Sequence, residues 1–183
     1  MIEEHKIKHS RSQGLIDFAY RFAKEAHESQ VRKYTGEPYI NHPVEVAQIV
    51  ASVTDDVRAI AAAFLHDIIE DCGVKVKQLI DAGFSFDTAM LVNQLTDISL
   101  PTDGNRKFRK ELDRRYLARA TPLAKTIKLA DLISNSKSII KHDKKFAKTY
   151  MAEKRELLKV LIDGDHTLYV RAKNIVDDYY GEL

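Results

Sequence analysis

One stretch constrains the fold more than any other. Ala59-Ile60-Ala61-Ala62-Ala63-Phe64-Leu65 runs apolar without interruption into His66-Asp67-Ile68-Ile69-Glu70-Asp71. Apolar residues on every side of a helical projection belong to a helix at the centre of a core. Such a helix should not end in an imidazole and three carboxylates unless these are paired, metal-bound or exposed, because an ionised group buried alone costs several kcal/mol. Adjacent helical residues point about 100° apart, so His66 and Asp67 can both reach one ion beside the helix. Glu70 and Asp71 then follow one turn beyond them, close enough to hold or shuttle protons without being ligands.

The rest of the chain is punctuated as helices. Leu15, Phe18, Ala19, Phe22, Ala23 and Ala26 form one apolar stripe, and Leu157, Leu158, Leu161 and Ile162 form another. Asn41-His42-Pro43 opens a helix with proline in its first turn, Thr54-Asp55-Asp56 can cap the next, and Thr121-Pro122 begins a further one. Gly83 stands where a helix end wants a left-handed residue, and Asp163-Gly164-Asp165 separates the last two helices. Period-two alternation is scarce. The expectation is an all-α chain of about eight or nine helices in one compact bundle, with residues 1–183 forming a single domain and no repeat or linker. Loops are expected at Val31 to Tyr39 and Ile98 to Asn105, where ligand contacts concentrate in a helical scaffold.

Composition removes several function classes. The 183 residues, 44% of them hydrophobic, can build a real core, and a net charge of +2 gives no global drive toward nucleic acid. No run of about 18 apolar residues exists to span a bilayer, and Met1-Ile2-Glu3-Glu4-His5-Lys6 lacks the apolar stretch of a secretory signal, so a cytoplasmic location is expected with no membrane partner. The single cysteine, Cys72, stands among acidic residues and reads as structural. Basic residues gather in Arg106-Lys107-Phe108-Arg109-Lys110, where a solvated helix face is the plain explanation and a rim for polyphosphate, carried by Arg106 or Lys107, the functional one.

Two further residues complete a ligand set. His42 starts its helix, and Asp131 interrupts the apolar run Ile127-Lys128-Leu129-Ala130-Asp131-Leu132-Ile133. Either alone reads as a cap or an ion-pair partner. Together with His66 and Asp67 they make two imidazoles and two carboxylates, an open site that suits Mn²⁺, Zn²⁺ or Fe²⁺ better than Ca²⁺. No cysteine is spaced for a closed structural zinc site. The pattern therefore points to a metalloenzyme.

A separated His, an adjacent His-Asp and a distant Asp in a helical chain resemble the signature of HD-domain metal-dependent phosphohydrolases. The segments Ala26-His27-Glu28-Ser29-Gln30-Val31-Arg32-Lys33, Gly36-Glu37-Pro38-Tyr39-Ile40-Asn41-His42-Pro43, Phe64-Leu65-His66-Asp67-Ile68-Ile69-Glu70-Asp71 and Lys128-Leu129-Ala130-Asp131, with Asn135, are similar to the hydrolase domain of RelA/SpoT proteins, and most of all to small alarmone hydrolases. That resemblance implies a manganese enzyme that removes the 3′-pyrophosphate of (p)ppGpp, a small nucleotide substrate. It implies that His42, His66, Asp67 and Asp131 bind the metal and that Glu70 and Asp71 orient the attacking water. It further implies that Arg32 and Lys33 lie beside the base and that Asn135 and Tyr150 contact the nucleotide. The loop Tyr34-Thr35-Gly36 is about one residue longer than the commonest family form, and Lys137-Ser138 matches loosely. Both sit where base and ribose belong, so ppApp and NADPH stand as alternative substrates. A broader HD-type nucleotidase and a silent nucleotide sensor are the rival functions. The apolar face Leu168, Val170, Ala172, Ile175 and Val176 is expected to pack within the chain, while the oligomeric state stays open.

Overall fold

The computed structural model describes residues 2–181, with side chains from residue 13 onward. Among the described residues there are ten helices and no strand. An isolated antiparallel bridge, Val31 to Pro38, closes the first expected loop, and Gly36 turns it at φ 70°, a conformation that favours glycine. The chain falls into two compact units, Met1–Val92 and Asn93–Leu183.

In the first unit, α1 (Ile2–Ala26) and α2 (Asn41–Ala51) both pack on α3 (Val57–Leu65). Every residue of α3 from Ala59 to Leu65 is buried, as its unbroken apolar sequence requires. Ala19 and Ala23 of α1 and Ala59, Ala61, Ala62 and Ala63 of α3 are fully buried, and side chains this small let helix backbones approach closely. Phe18 stacks on Phe84 with ring centroids 4.6 Å apart, and Phe22 meets the same ring edge-on at 5.5 Å. Asp56 caps α3 by accepting from the Arg58 backbone N–H. Two short helices, α4 (Ile68–Cys72) and α5 (Val76–Asp81), follow, and Gly73 ends α4 in the left-handed region at φ 67°. Helix α6 (Phe86–Leu95) comes next.

The expectation of one helix through His66 and Asp67 is corrected here. Helix α3 ends at Leu65, His66 and Asp67 form a turn, and α4 restarts at Ile68. Asp67 lies at φ −98°, ψ −7°, in the sparsely populated bridge region where turn and active-site residues are found. The break is the source of one helix more than the eight or nine expected.

The second unit holds α7 (Arg106–Leu117), α8 (Pro122–His142), α9 (Lys144–Leu158) and α10 (His166–Gly181). Helix α8 begins with Thr121 capping and Pro122 in its first turn, and it buries Ala124, Ile127, Leu129, Ala130, Leu132 and Ile133. Both α9 and α10 pack on it. Leu168, Ala172 and Val176 of α10 are buried within the unit, so the C-terminal helix does pack inside the chain, whereas Val170, expected on the same face, is exposed. Leu158 and Leu161 are likewise buried, whereas Ile162, expected on the same stripe, is exposed because the helix has already ended at Leu158.

Candidate metal centre

The helix break builds the site. Ending α3 at Leu65 leaves the carbonyls of its last turn without intrahelical donors, and His66 Nδ1 lies 2.8 Å from the Ala63 carbonyl, where a ring N–H donates. That hydrogen bond sets the tautomer and turns the Nε2 lone pair outward. His66 Nε2 is 3.0 Å from Asp67 Oδ2, and His42 Nε2, arriving from the first turn of α2, is 3.6 Å from the same oxygen. The two imidazole rings are 5.1 Å apart and each residue is only 2% exposed.

Chemistry decides what such a set can hold. One carboxylate cannot offset two buried imidazolium ions, and two neutral rings facing a carboxylate oxygen bring lone pairs together. A divalent cation satisfies all three ligands, whose donor atoms lie within 4.8 Å of one another. The residues present therefore fit a divalent metal ion.

Tyr39 is a member of the site that spacing did not single out. Its hydroxyl donates to Asp67 Oδ2 at 2.7 Å, and its ring lies 4.7 Å from that of buried His27, whose Nδ1 is 2.7 Å from Gln30 Oε1. Burial and the Asp67 charge push the Tyr39 pKa well above its ordinary value, so the hydroxyl stays a donor. A lone tyrosine three residues before His42 carries no periodic signal. In the sequence Tyr39 stands out only as part of the longer segment Gly36-Glu37-Pro38-Tyr39-Ile40-Asn41-His42-Pro43.

Glu70 and Asp71 are exposed on α4. Partial removal from water and the charge of Asp67 raise the Asp71 pKa, against which the Tyr39 hydrogen bond acts. Cys72 donates its thiol to the Ala26 carbonyl at 3.2 Å, and burial pushes its pKa up, as suits a structural cysteine. Arg32 is half-buried with its guanidinium 5.7 Å from the Tyr39 ring centre, and Lys33 is exposed beside Tyr34.

The remaining candidates lie in the second unit. Asp131 is 6% exposed on α8, where Lys128 reaches its Oδ2 at 3.2 Å and the Asn135 amide donates to its Oδ1 at 2.6 Å. Asn135 thus orients Asp131. Tyr150 is buried on α9, and burial followed by the Asp131 charge raises its pKa. Arg106 makes two hydrogen bonds to Glu153, at 2.6 and 2.9 Å, and lies over the Phe146 ring; Lys107 follows it on α7.

The HD domain family model matches residues 19–160. The chain belongs to the HD domain family. Among curated relatives, a Synechocystis protein named probable guanosine-3′,5′-bis(diphosphate) 3′-pyrophosphohydrolase is 37% identical over 141 residues, covering 75% of this chain and 18% of that protein. The Vibrio cholerae guanosine-3′,5′-bis(diphosphate) 3′-pyrophosphohydrolase is 38% identical over 132 residues, covering 69% and 18%. This chain thus spans about a fifth of the length of the curated relatives it matches. A solved structure of a metazoan ortholog of SpoT, described as hydrolysing ppGpp, superposes with a TM-score of 0.81 at 24% identity, covering 90% of this chain and 95% of that one. The all-helical HD fold is shared with it. No helix among the described residues is long and apolar enough to cross a membrane.

Proposed function

We propose that this chain is a metal-dependent hydrolase that removes the 3′-pyrophosphate from guanosine 3′,5′-bis(diphosphate)-type nucleotides, releasing GDP or GTP and pyrophosphate. The observation that carries the reading is the convergence of His42, His66 and Asp67 on one point, with Tyr39 holding the carboxylate and His66 fixed by Ala63. The names of the curated relatives support the choice of substrate. The family match, running from residue 19 to 160, supports reading the whole chain as one catalytic domain.

Asp131 is the fourth ligand in this reading, oriented by Asn135 and by Lys128. The mixed nitrogen and oxygen donor set suits Mn²⁺, Zn²⁺ or Fe²⁺, and the resemblance to RelA/SpoT hydrolase domains selects Mn²⁺ among them. A divalent ion held there supplies charge neutralisation at the phosphoryl oxygens and a more acidic water. Glu70 and Asp71, exposed one turn after the ligands, accept the proton of the attacking water and return it to the leaving oxygen. Arg32 and Lys33 contact the base, Asn135 and Tyr150 the nucleotide, and Arg106 and Lys107 the distal phosphates, Arg106 exchanging Glu153 for its ligand.

The test is turnover of ppGpp, ppApp and NADPH by Mn²⁺-loaded protein with product identification. Free pyrophosphate and GDP from ppGpp are expected, and no turnover of any of the three sinks the reading. Asp67→Ala should lose both metal and activity. Glu70→Gln should keep the metal while kcat falls by about 10²- to 10⁴-fold.

A further inference from the structure

In the first unit, the ends of α1 and α4 are each closed by a side chain from beside the other. The Cys72 thiol of α4 donates to the carbonyl of Ala26, the last residue of α1. In return Gln30, just after the turn that follows α1, donates its Nε2 to the Asp71 carbonyl at 3.0 Å, across 41 residues of sequence. A helix as short as α4 leaves its last carbonyls without intrahelical donors, so the Gln30 bond anchors an end that the helix cannot anchor itself.

Chemistry fixes the orientation of the Gln30 amide. The Asp71 carbonyl can only accept, so the amide nitrogen faces it and Oε1 is left for His27 Nδ1 at 2.7 Å. An amide oxygen also only accepts, which puts the ring proton of His27 on Nδ1. His27 is buried with its ring on that of Tyr39, and the Tyr39 backbone N–H donates to the Gln30 carbonyl at 3.0 Å. The Tyr39 hydroxyl in turn serves Asp67 and faces the Asp71 carboxylate. Asp67, Tyr39, His27, Gln30 and Asp71 thus form a closed circuit that fixes the acid-bearing helix α4 against the metal-ligand carboxylate. His27 and Gln30 stand outside the ligand cluster of His42, His66 and Asp67.

We propose that Gln30 is a positioning residue for the acid pair: its side-chain amide, locked by His27, holds the end of α4 so that Glu70 and Asp71 stand at a fixed distance from the Asp67 carboxylate. The proposal rests on the hydrolase reading and adds to it the residues that aim its proton carriers. A misplacement of about 1 Å in a reacting group is enough to cost about 10²-fold in rate. Binding of metal and nucleotide does not draw on the acid pair, so the effect belongs in kcat.

The experiment measures kcat and KM for guanosine 3′,5′-bis(diphosphate) with the Mn²⁺-loaded full chain, and Mn²⁺ affinity by calorimetry. Q30M keeps the length of glutamine but cannot donate to the Asp71 carbonyl. It should lower kcat about 10- to 100-fold while KM and Mn²⁺ affinity stay within about twofold, a split that a loosened fold does not produce. Two substitutions at His27 separate the proton from the ring: H27N keeps an N–H for Gln30 Oε1 and loses the ring on Tyr39, whereas H27F keeps the ring and loses the N–H. H27N should retain the larger kcat, and H27F equal to or above it overturns the part assigned to His27. A Q30M kcat equal to wild type overturns the proposal. So does a fall in kcat matched by a fall in Mn²⁺ affinity, since Gln30 would then support the ligands rather than the acids. Should either His27 variant fail to fold by circular dichroism, Q30M alone decides. All these outcomes leave the hydrolase reading standing, because the wild-type protein turns over; absence of wild-type turnover overturns that reading and the proposal with it.

Discussion

The Tyr39 hydroxyl donates to Asp67 Oδ2 at 2.7 Å and so positions the one carboxylate that both His42 and His66 face. A hydrogen bond of this kind fixes which lone pair the carboxylate offers to a cation and keeps its other oxygen from wandering.

Tyr39→Phe should therefore weaken binding of Mn²⁺ by about 10- to 100-fold while leaving the helical fold intact. Metal titration followed by calorimetry, with circular dichroism as the control, measures both. Unchanged affinity would reduce Tyr39 to a packing residue.

Asp56 caps α3, the helix that ends just before His66, and its carboxylate also holds the Arg58 guanidinium at 2.6 Å. That side-chain bond, aided by the Arg58 backbone N–H, lowers the Asp56 pKa. A carboxylate with a depressed folded pKa adds stability that is fully present above its unfolded value of about 3.9 and is lost as pH falls through the folded value. Asp56→Ala should cost about 1 kcal/mol near neutral pH, and the gap to the wild-type protein should narrow below about pH 4. Urea denaturation at several pH values reads this directly, and a gap independent of pH would contradict it.

Gly164 lies in the link between α9 and α10, pressed against the start of α8. A Cβ there would sit 2.8 Å from Leu129 Cδ1 and 3.1 Å from the Thr126 backbone nitrogen. The link has little freedom to retreat, since the Asp165 N–H donates to Thr126 Oγ1 at 2.8 Å and Lys125 reaches Asp163 at the same distance. Gly164→Ala should destabilise the protein by about 1–3 kcal/mol through overpacking, measured by thermal or chemical unfolding. Stability equal to wild type would mean that Leu129 can rotate away.

The metal-ligand candidates of the first unit are legible in the sequence. The uninterrupted apolar run of α3 dictated a buried helix, and the polar residues at its end had to be paired, bound or exposed; His66 is indeed buried against His42 and Asp67. Helix starts at Asn41 and Pro122 and the cap at Asp56 followed from local backbone chemistry and stand as expected. Local pattern did not reveal the break at His66-Asp67, because both residues are compatible with a continuing helix and only the packing around them selects the turn.

Burial, helix phase and capping are properties of neighbouring residues, so the order of amino acids alone determined that this chain is helical, where its core lies and which imidazoles and carboxylates are candidates for a cation. Partners distant along the chain were decided only by tertiary structure: Tyr39 with Asp67, 28 residues apart, and Arg106 with Glu153, 47 apart. The physical reason is that periodicity specifies which face of a helix leaves water, whereas the identity of the group it meets there depends on how separate helices pack.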